Sequence, residues 1–411
     1  MVSVSNLSMF VLGVIILNAC SFFSPVLNSP ELDFEASKAI SSDAQNRITW
    51  IFLFVVSLFI VKRTFSNWFY LVVKTWPLFL LICYATLSFI WSEYSKLALL
   101  RVSQQILVYF CLTASLSGIS TKKQLMSVFV FCALLLVGVE FLAFISMTSM
   151  TDLGFRGIHS HKNTAGIVLS FCFLSLYCFQ SQLEGNLRKA ARFCLVLSLV
   201  MLFITMSKTA IFLTLVSCII YSFLVLRLNV SASKILFSIF FLCTFLFSAI
   251  LSFGLDYLSE LGVTFTGRLF VWLFVLDEMS GHWLNGVGFG SFWNLGELSR
   301  NILYGGDFGV FLPQLSQGHN SYLDILITLG IIGLFLLFVY LYHTFGNVTT
   351  FLGNDTTAIS AFLFVHVFFF LVHSFMESTI LRGYNLFWIL FITASLIAAQ
   401  SFEGENQVDE N

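Results

Sequence analysis

The 411-residue chain is 58% hydrophobic and only 10% charged, with a net charge of −1 and a mean hydropathy of +0.93. A soluble domain carries roughly 25% charged residues and about 45–50% apolar ones, so composition excludes an ordinary soluble enzyme, and the balanced charge offers no basic excess for nucleic acid. A bilayer core takes about 20 apolar residues per helix; such runs fill this sequence from end to end, and the expectation is an all-α integral membrane protein.

In chain order the apolar runs fall near 7–27, 48–61, 76–90, 98–116, 124–148, 164–180, 190–206, 209–226, 234–253, 320–342, 357–373 and 384–400. They predict about twelve transmembrane helices. Residues 1–400 form one polytopic membrane domain, and 401–411, with Glu403, Glu405, Asp409 and Glu410, form an acidic, disordered cytoplasmic tail. Leu17-Asn18-Ala19-Cys20 resembles a lipoprotein cleavage box, but no Lys or Arg precedes it, so a first membrane helix is expected there. The nine cysteines lie inside apolar segments and read as small buried hydrophobes rather than disulfides.

Orientation follows the cation clusters Lys62-Arg63, Lys122-Lys123 and Arg188-Lys189 with Arg192, which all fall on one side of the alternation. That side is assigned to the cytoplasm of a bacterial inner membrane, with both termini inside and the long loop 254–319 periplasmic. The 20 Lys and Arg residues divide evenly between the sides, so the assignment rests on clustering rather than count.

Most of the unusual chemistry then falls on the outer face. The segment FRGIHSHKNTAG brings Arg156, His159, His161, Lys162 and Asn163; MSKTA brings Lys208; the long loop brings Arg268; Lys96 and Arg101 flank the start of the fourth span. Cations from several separate loops on one face suit a lipid-linked phosphate or pyrophosphate, which Arg grips bidentately and Lys meets as a point charge. Residues 267–279, GRLFVWLFVLDEM, are too short to span and are expected to lie on or dip into the outer leaflet, with Arg268 and Trp272 on one face toward a headgroup. The following GVGFGSFW is a glycine-rich turn without a P-loop lysine.

The stretch GHNSYLDILITLGIIG, 318–333, is the strongest site signal. Gly318 breaks the loop, Asn320 or Ser321 caps the tenth span, and His319 sits at its N-terminus, where the helix dipole favours a neutral, proton-accepting imidazole. Gly330 and Gly333 are expected to admit a neighbouring helix. His366, His373 and Glu377 share a face of the eleventh span, where His373 and Glu377 have metal-ligand spacing but lack an evident third ligand. Glu140 lies inside the fifth span and needs a buried partner, which the sequence does not name.

The ordered set FRGIHSHKNTAG, GRLFVW with GVGFGSF, and HNSYLDILITLGIIG resembles the O-antigen ligase and polymerase superfamily over about residues 150–340. The last stretch is similar to the ligase pattern through His319, Asn320, Gly330 and Gly333. Exopolysaccharide polymerases carry a similar HKN segment, so the motifs do not separate the branches. The resemblance implies a GT-C-like fold and an inverting, metal-independent glycosyltransferase without cofactors, working at the periplasmic face. Its donor would be a glycan on undecaprenyl pyrophosphate, and its acceptor the lipid A core (ligase) or another lipid-linked glycan (polymerase). His319 is implied as the base and Arg268 and Arg156 as pyrophosphate ligands, with Lys162, Lys208, Asn320 and Arg101 as further substrate-binding residues among the membrane lipids. A transporter is the competing class; it would place ionisable groups near the membrane midplane.

Overall fold

A computed structural model describes residues 3–26, 44–146, 149–225, 268–293, 317–354 and 357–400, with 238, 242, 246 and 295 between them. The expected span 234–253, much of the loop 254–319 and the acidic tail lie outside the described residues. The helices in chain order are α1 (Val4–Ala19), α2 (Ala44–Lys74), α3 (Trp76–Leu87), α4 (Ser95–Ser117), α5 (Lys122–Ile145), α6 (Lys162–Phe179), α7 (Gly185–Ile204) and α8 (Lys208–Val225). They are followed by α9 (Arg268–Glu278), α10 (Ser321–Asn354), α11 (Ala358–His373) and α12 (Leu386–Ala399). A two-residue hairpin, β1 (Met150–Thr151) with β2 (Gly154–Phe155), precedes α6.

Six of these helices are long and apolar enough to cross a membrane, among the described residues, and four apolar helices are shorter. The protein is therefore a helical, multi-pass membrane protein. Local chemistry sets many helix starts. Thr121 and Gln124 form a capping box at α5, Asn385 accepts from the amides of Phe387 and Trp388 at α12, and Pro77 occupies the first turn of α3, where its missing N–H is not needed. α2 runs through Lys62-Arg63 to Lys74 with non-helical dihedrals at Thr64, so the expected end of the second span near 61 is a kink instead. Beyond it Trp68 donates to Thr113 of α4, while Phe65, Phe69 and Tyr70 remain exposed.

α11 and α12 are apolar on every face, which is the pattern of a helix surrounded by other helices, and from Ile359 to Leu371 and from Leu386 to Ile397 they are buried. With 16 residues, α11 reaches only roughly 24 Å at 1.5 Å per residue, short of a bilayer core of about 30 Å. The non-helical segment 374–385 therefore begins below the end of the bundle. Irregular backbone at that depth is tolerated only where protein satisfies its polar groups, and that requirement shapes the site.

The helix ends sort into two sets. Gly118 abuts Ser8, and Gln400 donates to the Ile119 carbonyl, so the start of α1 and the ends of α4 and α12 share one end of the bundle. Lys122 and Lys123, at the start of α5, line one cavity with Gln182 and Thr357 at that same end. The opposite end collects the starts of α4, α6, α8, α10 and α12, and it holds the residues described next.

Candidate functional site

The turn 317–321 and the segment 374–380 are joined along their backbones. Ser321 N donates to Ser374 O at 2.9 Å, and Ser321 Oγ donates to Glu377 O at 2.8 Å while accepting from Thr379 N at 2.8 Å. Asn320 is fully buried; its Oδ1 accepts from Tyr322 N and Leu323 N, and its Nδ2 donates to Phe375 O at 3.0 Å. Asn320 is thus the helix cap, and its amide is engaged with the framework rather than turned to a substrate. Asp324, one turn into α10, accepts from Gly318 N at 3.0 Å and Trp293 Nε1 at 2.8 Å. Trp272 donates to Gly318 O at 3.0 Å. With both polar groups of Gly318 held, His319 adopts φ +49, a left-handed conformation rare for a side chain of its size.

That turn aims His319 at Glu377. Its Nδ1 stands 3.1 Å from Glu377 Oε2, while Oε1 accepts from Arg268 Nη2 at 2.6 Å and from Asn163 Nδ2 at 3.1 Å. Asn163 Oδ1 in turn accepts from Ser207 Oγ at 3.3 Å, and His161 caps α6 by accepting from Asn163 N. Three sequence-distant elements therefore converge on one carboxylate. Burial raises the Glu377 carboxyl pKa, but the His319 hydrogen bond and the nearby Arg268, His319 and His373 charges outweigh it and hold the group at about 2. It is an anion at neutral pH, so His319 Nδ1 carries the proton of that bond.

The other expected site residues take varied places at this end of the bundle. Arg156 is buried, 3% exposed, in the turn before α6. Lys162 Nζ donates to Leu153 O at 2.9 Å, bracing the hairpin, and Lys208 is exposed at the start of α8. Arg101 donates from Nη1 to the carbonyls of Gly290 and Trp293, so it fastens the glycine-rich turn.

Several expectations are corrected. Trp272 is fully buried and packs with Leu269, Val275, Phe292, Trp293 and Ile327, so α9 packs on α10 instead of offering Trp272 to a headgroup. Gly330 breaks α10 at φ +65, and a Cβ there would come within 2.3 Å of Leu284 O. It admits the backbone of 283–288, with Ile331 N donating to Trp283 O and Val287 N donating to Ile327 O, rather than a neighbouring helix. Gly333 meets only its own Leu329 side chain. Around the His373–Glu377 spacing, Glu377 is engaged by Arg268 and His319, and no group of three or more His, Cys, Asp or Glu side chains is placed to hold a metal among the described residues.

The partner of Glu140 is His159, whose Nε2 lies 2.8 Å from Oε1, both side chains being fully buried. The two side chains meet without an aligned hydrogen bond, since none of their side-chain polar atoms has a hydrogen-bond partner of good geometry. Gly157, at φ +58, makes room for it: a Cβ there would fall 1.7 Å from Glu140 Oε2.

A multi-pass helical protein with a histidine, a carboxylate and an arginine gathered where helix starts meet a buried turn is a membrane-embedded site for polar chemistry. Residues 193–338 match the family model described as O-antigen ligase, which supports the O-antigen ligase-like superfamily and indicates a ligase- or polymerase-like glycosyltransferase acting on lipid-linked glycans in general. No curated protein matches the chain. The match takes in Arg268, His319 and Gly330 but not Glu377, which sequence reading weighed only as a metal ligand. Glu377 lies four residues from His373, but its partners His319 and Arg268 are 58 and 109 residues away.

Proposed function

We propose that this protein is an inverting glycosyltransferase of the bacterial inner membrane that moves a glycan from undecaprenyl pyrophosphate onto an acceptor sugar at the periplasmic face, acting as an O-antigen ligase on the lipid A core. The observation that carries this reading is the His319–Glu377 pair beside Arg268, in a chain whose 193–338 segment matches the ligase family. The acceptor hydroxyl gives its proton to His319 Nε2 as its oxygen attacks the anomeric carbon. The bond to the pyrophosphate oxygen breaks with its electron pair on the leaving group, so a single displacement inverts the centre. Glu377 holds Nδ1–H, fixing the ring's tautomer, and stabilises the imidazolium that forms. Arg268 uses Nη2 on Glu377, and its planar fork has further N–H donors to meet the charge growing on pyrophosphate. The gathering of these groups at one end of the bundle argues against a transporter, whose site would lie at mid-depth.

Two experiments test the reading. Deletion of the gene followed by a glycan gel should remove capped lipopolysaccharide while leaving lipid-linked polymer intact; capping by single repeats would instead identify a polymerase. With purified enzyme, donor and acceptor, EDTA should leave transfer unchanged, and abolition of transfer by EDTA would overturn the metal-independent mechanism.

A further inference from the structure

The turn that presents His319 is bracketed by two carboxylate–arginine pairs. Glu377 holds Arg268 on one side; on the other, Asp324 Oδ2 stands 3.4 Å from Arg382 Nη2. The mechanism above uses only the first pair. Arg382 is the more open arginine of the two, with 36% of its side chain exposed against 18% for Arg268.

Arg382 is displayed by a turn fixed from beneath. Gln105 Nε2 donates to Leu381 O at 2.7 Å, Trp388 Nε1 donates to Gln105 Oε1 at 3.0 Å, and a Cβ on Gly383 would come within 3.2 Å of the Gln105 amide. Leu381 itself is held at φ +53, which a leucine rarely adopts. Arg101 lies one helical turn before Gln105 on the same face of α4, and it donates to Trp293 O, whose indole donates to the same Asp324 carboxylate that Arg382 meets, so both guanidinium groups border one framework. The carboxylate between Arg382 and the His319 turn is already engaged, because Asp324 Oδ1 accepts from both Trp293 and Gly318. Like charges held together beside an engaged carboxylate are stabilised by an incoming anion.

We propose that Arg382 and Arg101 form a second anion subsite, across the His319 turn from Arg268, that takes a phosphate group carried by the acceptor. This rests on the glycosyltransferase reading, in which Arg268 faces the donor. The phosphate belongs to a phosphorylated sugar or to a second lipid-linked pyrophosphate. Arg382 brings guanidinium donors and charge to it, and Arg101 adds field from behind.

The test is binding to the full chain in nanodiscs, in a His319→Ala background so that turnover plays no part. The probes are glucose 1-phosphate and farnesyl pyrophosphate, titrated by calorimetry. Arg382→Gln, which keeps hydrogen-bond donors toward Asp324 but drops the charge, should weaken glucose 1-phosphate by about tenfold or more. Arg382→Lys should keep part of that affinity, and Arg268→Ala should leave it in place. A lipid-linked occupant would show as two equivalents of farnesyl pyrophosphate falling to one in Arg382→Gln; a sugar phosphate would leave farnesyl pyrophosphate at one equivalent throughout. Unchanged binding of both probes in Arg382→Gln and Arg382→Lys would overturn the subsite and reduce Arg382 to a brace for Asp324. Loss of transfer chemistry in wild type with both binding patterns intact would count against the proposed reaction instead.

Discussion

Two carboxylate–imidazole pairs sit at the same end of this protein, and they differ in what surrounds them. Glu140 and His159 approach to 2.8 Å with no exposed side-chain surface on either residue, whereas Glu377 and His319 lie 3.1 Å apart with 26% of the histidine side chain open. The Glu377 carboxylate is also held by Arg268 and Asn163, while the Glu140 carboxylate has a glycine against it. The same two functional groups thus make a sealed strut in one place and an open, cation-backed pair in the other. Access and a third partner distinguish them, and distance does not.

The sharpest way to break the comparison is to remove each histidine in turn. His319→Ala should lower the transfer rate by about 10²–10⁴-fold with donor binding intact, and His319→Gln should be nearly as poor, since an amide cannot take the proton. Near-normal turnover in His319→Gln would leave the ring a positioning role. Glu140→Ala should act on the fold: leaving the buried His159 without its polar partner destabilises by about 1–3 kcal/mol, read as a lower melting temperature, with the rate per folded molecule retained. A rate loss without a melting shift would place Glu140 with the reactive pair.

Glu377→Gln comes next, with an expected fall of about 10–100-fold in kcat and a smaller change in KM, because the amide still touches Arg268 but no longer stabilises an imidazolium. Gly157→Ala should destabilise by about 1–2 kcal/mol or more, from its left-handed backbone and from crowding of Glu140. Glu140→Ala should relieve the crowding but not the backbone part, so a double-mutant cycle measures the share of each.

The smallest effect is a dependence on pH. The Glu377 carboxyl is held at about 2 in the folded protein, below an ordinary value of about 4.3. A depressed carboxyl contributes stability that is present above its unfolded value and lost as pH falls through the folded one. The melting difference between wild type and Glu377→Gln should therefore hold above about pH 4.3 and shrink toward about pH 2. A difference that grew on acidification would mean that Glu377 is protonated in the native site.

Hydropathy and local capping rules made much of this molecule readable. An apolar run must satisfy its own backbone, so it becomes a helix wherever the sequence continues, and the cap at Asn320 and the break at Gly318 are written within a few residues of where they act. Tertiary structure alone decided which groups meet: Glu377 with His319 and Arg268, Glu140 with His159, Asp324 with Arg382, and the 283–288 backbone with the break at Gly330. Those pairings are set by where helices of unequal length end against one another, and a buried carboxylate takes the cation that such packing brings within reach. No local period in the sequence encodes that distance.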